Sequence, residues 1–217
     1  MAANSPGAPD AKPRAKASPR LLLAASLLAG LIILGAGAFL ALELHEVSRG
    51  AAGTLLGGAI GGPFQLVDQN GRTVTNTQLE GKWLLVYFGY THCPDACPTA
   101  LNNIAVALRD LGAKQRDEVR PVFITIDPAR DTPRMLKDYV TAFDAPILAL
   151  TGTAAQVAKA ADDYRVYYAK HPAAGGDYSM DHSSIIYLMD PKGRFSGSFS
   201  GEDPPDQMAE RLKKLLT

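Results

Sequence analysis

Two kinds of apolar patterning along this chain predict an α/β fold, a sheet covered on both faces. Residues 83–89 (WLLVYFG) are a continuous apolar run, the pattern of a strand with no solvent-facing side, and 119–126 reads as another strand. Between them, residues 99–111 place Leu101, Ile104, Ala105, Leu108 and Leu111 at helical spacing. Further on, strands at 183–189 and 195–200 are joined through Asp190-Pro191-Lys192-Gly193, a turn composition, and an amphipathic helix at 204–216 closes the chain. A βαβ unit followed by a ββα unit is the thioredoxin-like plan.

The other elements fit around that frame. Residues 64–67 and 73–75 flank Asp68-Gln69-Asn70-Gly71, whose Asn-Gly pair predicts an added N-terminal β-hairpin. Thr132-Pro133 predicts an N-cap and first residue of a helix running to about residue 143. A short strand is expected at 147–150, a helix capped by Thr153 at 153–162, and another strand at 165–169. Together, residues 63–217 form one domain, long enough to bury a real core. No internal repeat interrupts it.

The N-terminal part reads differently. Residues 1–20, rich in Ala, Pro and basic side chains, predict a disordered cytoplasmic basic arm. Residues 21–42 are uncharged and apolar; as a helix they reach roughly 33 Å, enough for a hydrocarbon core of about 30 Å. A transmembrane anchor is therefore expected at 21–44. Lys12, Arg14, Lys16 and Arg20 precede it and Glu43 and Glu46 follow, which puts the domain on the non-cytoplasmic side. Ala36-Gly37-Ala38 resembles a cleavage site, so a removed signal peptide is the competing reading; signal cores are usually only about 7–15 residues long. Residues 45–62, rich in Gly and Ala, read as a flexible linker in which His45 is a solvated residue. Either reading places the domain where disulfides are permitted. The net charge is zero and gives no basic footprint, so no nucleic-acid partner is expected.

The chemistry concentrates in Cys93-Pro94-Asp95-Ala96-Cys97-Pro98, which holds the only two cysteines of the chain. Pro98 is expected at the first helical position, making Cys97 the N-cap, where the helix dipole favours a thiolate. Thiolate is both a nucleophile and a soft metal ligand. Two sulfurs with an imidazole suit copper in either oxidation state. A purely structural disulfide is possible, but so small a loop removes little unfolded-state entropy. Thiol exchangers of the thioredoxin type carry Cys-x-x-Cys, usually behind a Trp and opposite a proline. Here the gap is three residues, His92 precedes Cys93, and His182 stands before the opposing strand. Thr91-His92-Cys93 does not give peroxiredoxin spacing. In the thioredoxin plan the loop before strand 183–189 faces the cysteine loop, so His182 is expected to point at the two sulfurs.

Cys-Pro-Asp-Ala-Cys-Pro, then Ile126-Asp127-Pro128 with Arg130-Asp131-Thr132, then Asp181-His182 before a strand, together resemble the Sco/SenC family. The likeness runs from Gly62-Pro63-Phe64 to the final helix and includes Tyr164-Arg165-Val166-Tyr167-Tyr168. It implies a membrane-tethered, thioredoxin-like copper protein that assists assembly of the binuclear copper site of cytochrome c oxidase subunit II. It also implies copper, as Cu(I) or Cu(II), on Cys93, Cys97 and His182, with Asp127 functionally involved. Read from position, Asp127 accepts a thiol proton, orients a ligand by hydrogen bonding to it, or caps the next turn. Asp181 either orients His182 or is solvated. Met180 is expected to pack, and His92 and His171 to be exposed.

The expected function is a copper metallochaperone. The alternative is a thiol–disulfide oxidoreductase that keeps the target cysteines reduced, and a third reading is a copper or redox sensor. Another copper chaperone or a thiol reductant is an expected further partner. The short N-terminal arm points to a bacterial inner membrane, single-pass, with the domain in the periplasm.

Overall fold

A computed structural model describes residues 60–216. The arm at 1–20, the anchor at 21–44 and nearly all of the linker at 45–62 lie outside the described residues. Among those described, no helix is long and apolar enough to cross a membrane.

Among the described residues, nine strands and five α-helices follow one another. They are β1 (Gln65–Asp68), β2 (Thr73–Thr75), β3 (Trp83–Gly89), α1 (Ala96–Arg109), α2 (Ala113–Asp117), β4 (Val119–Thr125), α3 (Pro133–Val140), β5 (Leu148–Thr151), α4 (Ala154–Asp163), β6 (Tyr168–Pro172), β7 (Tyr178–His182), β8 (Ile185–Met189), β9 (Phe195–Ser200) and α5 (Pro205–Leu215). Seven strands form one sheet in the order β2-β1-β5-β4-β3-β8-β9. Its centre, β3, β4 and β5, is parallel, and β8 runs antiparallel beside β3 with Tyr87 opposite Ile186. The ends of β3 and β4 and the start of β8 therefore meet at one edge.

Local sequence accounts for most boundaries. Every β3 residue after Trp83 is buried, as expected of a strand with helices on both faces. The β1–β2 turn closes because the buried Asp68 carboxylate accepts from the N–H groups of Asn70 (2.9 Å) and Arg72 (2.8 Å), with Gly71 at φ +80°. Thr132 caps α3 by accepting from Met135 N–H, with Pro133 in the first turn. Thr153 and Gln156 form a reciprocal capping box on α4. On the other flank of the core, α1 packs against α5, which buries Met208, Ala209 and Leu212.

Three expectations need correction. The cysteine helix starts at Ala96 with Asp95 as N-cap, so Cys97 sits inside the first turn and Pro98 is its third residue. The first four N–H groups of a helix have no intrahelical partner, so proline fits several of those positions and does not mark the first. Secondly, the strand expected at 165–169 is β6 at 168–172, which pairs only with β7 in a separate two-stranded sheet. β7 was expected as loop, and the strand expected from Ser183 begins at Ile185. Short, exposed strands around a Gly-Gly turn lack the apolar alternation that marks a half-buried strand. Finally, α2 and a 3-10 turn at Asn76–Leu79 have no apolar period of their own and were not anticipated.

Candidate metal centre

Cys93, Cys97 and His182 converge where β3 ends and β8 begins. The sulfurs and one imidazole nitrogen all lie within 4.8 Å of one another. Cys97 Sγ is 3.3 Å from His182 Nε2, and the Cys97 N–H donates to Cys93 Sγ at 3.4 Å. With zinc–ligand lengths of about 2.3 Å to sulfur and about 2.0 Å to nitrogen, a trigonal ion separates its ligand atoms by about 3.7–4 Å. The trio thus needs only small adjustments to close on an ion.

Each side chain is held by a different part of the fold. Cys97 is fully buried in the first turn of α1, and its sulfur lies against the backbone of Gly89. A Cβ at residue 89 would stand 2.6 Å from that sulfur and 3.0 Å from Phe123, so only glycine lets the thiol seat there. Cys93 is half-buried on the loop before α1. The root of that loop is tied down by Asp131, whose fully buried carboxylate accepts from Thr91 N–H (3.0 Å), Thr91 Oγ1 (2.6 Å) and Thr125 Oγ1 (2.6 Å).

His182 closes the site from β7. Its Nδ1 lies 3.2 Å from the Ser183 carbonyl, which only accepts, so in the neutral ring Nδ1 carries the hydrogen. Nε2 then presents its lone pair to the sulfurs, as a metal ligand must. The edges and faces of Tyr87 and Tyr90 meet the imidazole at ring-centre distances of 6.0 and 5.9 Å, both near perpendicular. Tyr87 OH is placed by Ser184 Oγ (3.3 Å), and Tyr90 OH accepts from Met180 N–H (3.4 Å).

The two free thiols are electrostatically unequal. Cys93 is pulled down to about 3, first by the hydrogen bond from the Cys97 thiol, against the opposing effect of partial burial; the N–H groups of Cys97 and Asp95 add to it. Cys97 is pushed up because it supplies that hydrogen bond, is buried and faces the negative sulfur. One thiolate and one thiol therefore share a proton. Iodoacetamide is expected to label Cys93 selectively in the reduced protein, at nearly the same rate at pH 6 and pH 8. An ordinary thiol slows roughly 75-fold over that interval as its thiolate fraction falls. Peptide mass spectrometry reads the result, and labelling of Cys97 first would contradict this ordering.

The remaining candidates are placed as follows. Asp127 is buried and is not bonded to either sulfur or to the imidazole; it accepts from Arg130 Nε and from Tyr178 OH (2.7 Å). Asp181 pairs with His171 across β6 and β7 at 2.8 Å, rather than with His182. Met180 is buried among apolar side chains. His92 is exposed, with Nδ1 3.1 Å from Thr91 Oγ1. His45 lies outside the described residues. Sequence reading missed Gly89, Asp131, Tyr87 and Tyr90 as parts of the site. Only Asp131 had a signal, its place in the Arg130-Asp131-Thr132 string.

A protein-family model described as SCO1/SenC matches residues 53–217. The chain belongs to this family. Its sequence is 45% identical over 164 residues to the mitochondrial SCO1 protein of Saccharomyces cerevisiae, covering 73% of this chain and 56% of that protein. It is 39% identical over 189 residues to a SCO2-like protein of Rickettsia felis, covering 84% and 92%. Among solved structures, Bradyrhizobium japonicum ScoI with copper bound matches at a TM-score of 0.68 and 51% identity, covering 72% of this chain and 99% of that one. The chain spans 47% of the length of the mitochondrial SCO1 homolog 1 of Arabidopsis thaliana and 56% of that of the Saccharomyces cerevisiae protein. The thioredoxin-like α/β fold of SCO proteins is thus the fold of this domain.

Proposed function

We propose that this SCO protein is a copper metallochaperone that holds copper on Cys93, Cys97 and His182 and assists assembly of the binuclear copper site of cytochrome c oxidase subunit II. The carrying observation is the convergence of two sulfurs and Nε2 within 4.8 Å. Relatives solved with copper bound support it. Soft sulfurs suit Cu(I), and the imidazole extends the set to Cu(II). Three ligands leave a coordination position through which ligands of a recipient site take the ion before it is released to water.

The same reading places residues 21–44 in a bacterial inner membrane as a single-pass anchor, with residues 1–20 in the cytoplasm, 45–62 as linker and 63–217 in the periplasm. A copper donor and a thiol reductant complete its expected partners. Joining the sulfurs in a disulfide, with two electrons passing to an oxidant and the pair's one shared proton released, removes both soft ligands from the site.

The test is copper stoichiometry of the full chain, wild type against Cys93→Ala and Cys97→Ala. One copper per chain is expected for the wild type and none for the variants; retention in both variants sinks the assignment. Protons give a second readout. Cys93 is already a thiolate and Cys97 holds the shared proton, so loading Cu(I) at pH 7 is expected to release about one proton from the pair. Acidification favours the protonated pair, so apparent affinity falls about tenfold per pH unit.

A second reading, thiol–disulfide exchange, is favoured by one observation. The half-exposed Cys93 thiolate beside a buried Cys97 thiol is a nucleophile with a resolving partner.

A further inference from the structure

His182 is not held by the main sheet. It ends β7, and β6 and β7 pair only with each other. What fixes the hairpin over the cysteine loop is therefore side-chain contact, and that contact centres on Arg130, in the turn after β4. Its Nη1 donates to Asp177 Oδ1 and to the Tyr178 carbonyl, both at 3.0 Å. Its guanidinium carbon lies 3.6 Å from the centre of the Tyr178 ring, a cation–π contact, and Lys170 Nζ lies 3.4 Å from the same ring. Behind it, buried Asp127 accepts from both Arg130 Nε and Tyr178 OH, so one carboxylate fixes the guanidinium and the ring together. The far side of the guanidinium reaches Tyr90, 5.8 Å from its ring centre, and Tyr90 in turn lies against the His182 ring. Arg130 Nη2 is buried with no hydrogen-bond partner. A cation so placed, its side chain only 17% exposed, is retained by geometry that a flexible ammonium would not reproduce.

We propose that Arg130 and Tyr178 form a latch which keeps the β6–β7 hairpin closed on the cysteine loop and thereby decides whether His182 is available to the metal. This rests on the copper reading above and deepens it. Tyr178 stands four residues before His182, about 13 Å along the strand, so freeing it releases the arm that carries the imidazole. With the latch closed, Nε2 sits 3.3 Å from Cys97 Sγ and the site has three ligands. With it open, two thiolates remain, a set that suits Cu(I) and lacks the borderline ligand Cu(II) requires. Arg130 and Tyr178 are positioning residues, and the property they set is the preference between copper oxidation states.

The experiment uses the full, reduced chain without oxygen, titrated with copper(II) sulfate and read by electron paramagnetic resonance, alongside Cu(I) competition with a chromogenic chelator. Arg130→Met is expected to weaken Cu(II) binding at least tenfold and to remove the nitrogen coupling, matching His182→Ala, while Cu(I) affinity stays within about threefold of wild type. Arg130→Lys restores only part of the loss, because it keeps the charge without the planar fork. Tyr178→Leu, which leaves Arg130 on Asp127, is expected to lie between wild type and Arg130→Met. Thermal unfolding of each variant checks that the domain is intact. A folded Arg130→Met or Tyr178→Leu protein with the wild-type Cu(II) spectrum and affinity overturns the latch. So does equal loss of Cu(I) and Cu(II), the mark of a general structural role. A wild-type protein whose copper signal lacks nitrogen coupling would instead defeat the three-ligand reading itself.

Discussion

His182→Ala is expected to cost more than a hundredfold in Cu(II) affinity while leaving thiol chemistry intact. The imidazole is the only nitrogen ligand in the trio, and its Nε2 is already aimed at the sulfurs. Loss of an outer partner of a metal ligand costs about 10–100-fold, so loss of the ligand itself costs more. The thiolate of Cys93 owes its low pKa first to the Cys97 thiol, so exchange with a small disulfide should change by a few-fold at most. This variant separates the two readings of the site. Metallochaperone function measured as oxidase copper content should collapse, whereas a reductase would keep supporting it. Full copper delivery by His182→Ala would reverse the order in which the two readings stand.

Asp131→Ala is expected to lower stability by about 2–4 kcal/mol, a melting-temperature drop of about 4–16 °C for a domain of this size. The carboxylate is wholly buried and accepts from one N–H and two hydroxyls, so its removal leaves the Thr91 N–H and the Thr125 hydroxyl without that acceptor. Thr91 opens the cysteine loop, and so the loss should also appear as faster hydrogen exchange at residues 91–95. Asp131→Asn is a sharper probe, because it keeps the volume but puts an amide donor among three donors. An unchanged melting temperature in both variants would show that the loop is anchored elsewhere.

Much of this molecule was legible before folding. The apolar run at 83–89 needed no tertiary information, since a strand covered on both faces has no polar side to show. Thr132 and Thr153 identified two helix starts, because an N-cap is a local hydrogen bond between residues two or three apart. The cysteines stood out by being the only two. The β6–β7 hairpin was missed for the opposite reason. Its strands are mostly exposed, and they exist through pairing with each other and through Arg130, neither of which leaves a periodic trace. Asp181 illustrates the same limit: adjacency to His182 along the chain puts its carboxylate on the other face of the strand, where it meets His171.

By itself the sequence determined which donors are present, two thiols and an imidazole, and that the cysteines lie at the start of a helix, because residue type and local periodicity are properties of short stretches. Tertiary structure alone decided that the sulfurs share one proton, that Gly89 makes room for Cys97, and that Arg130 reaches across to the strand carrying His182. These are contacts between residues 4 to 48 positions apart. Their energies depend on distance and burial, which exist only once the sheet has brought its strand ends to one edge.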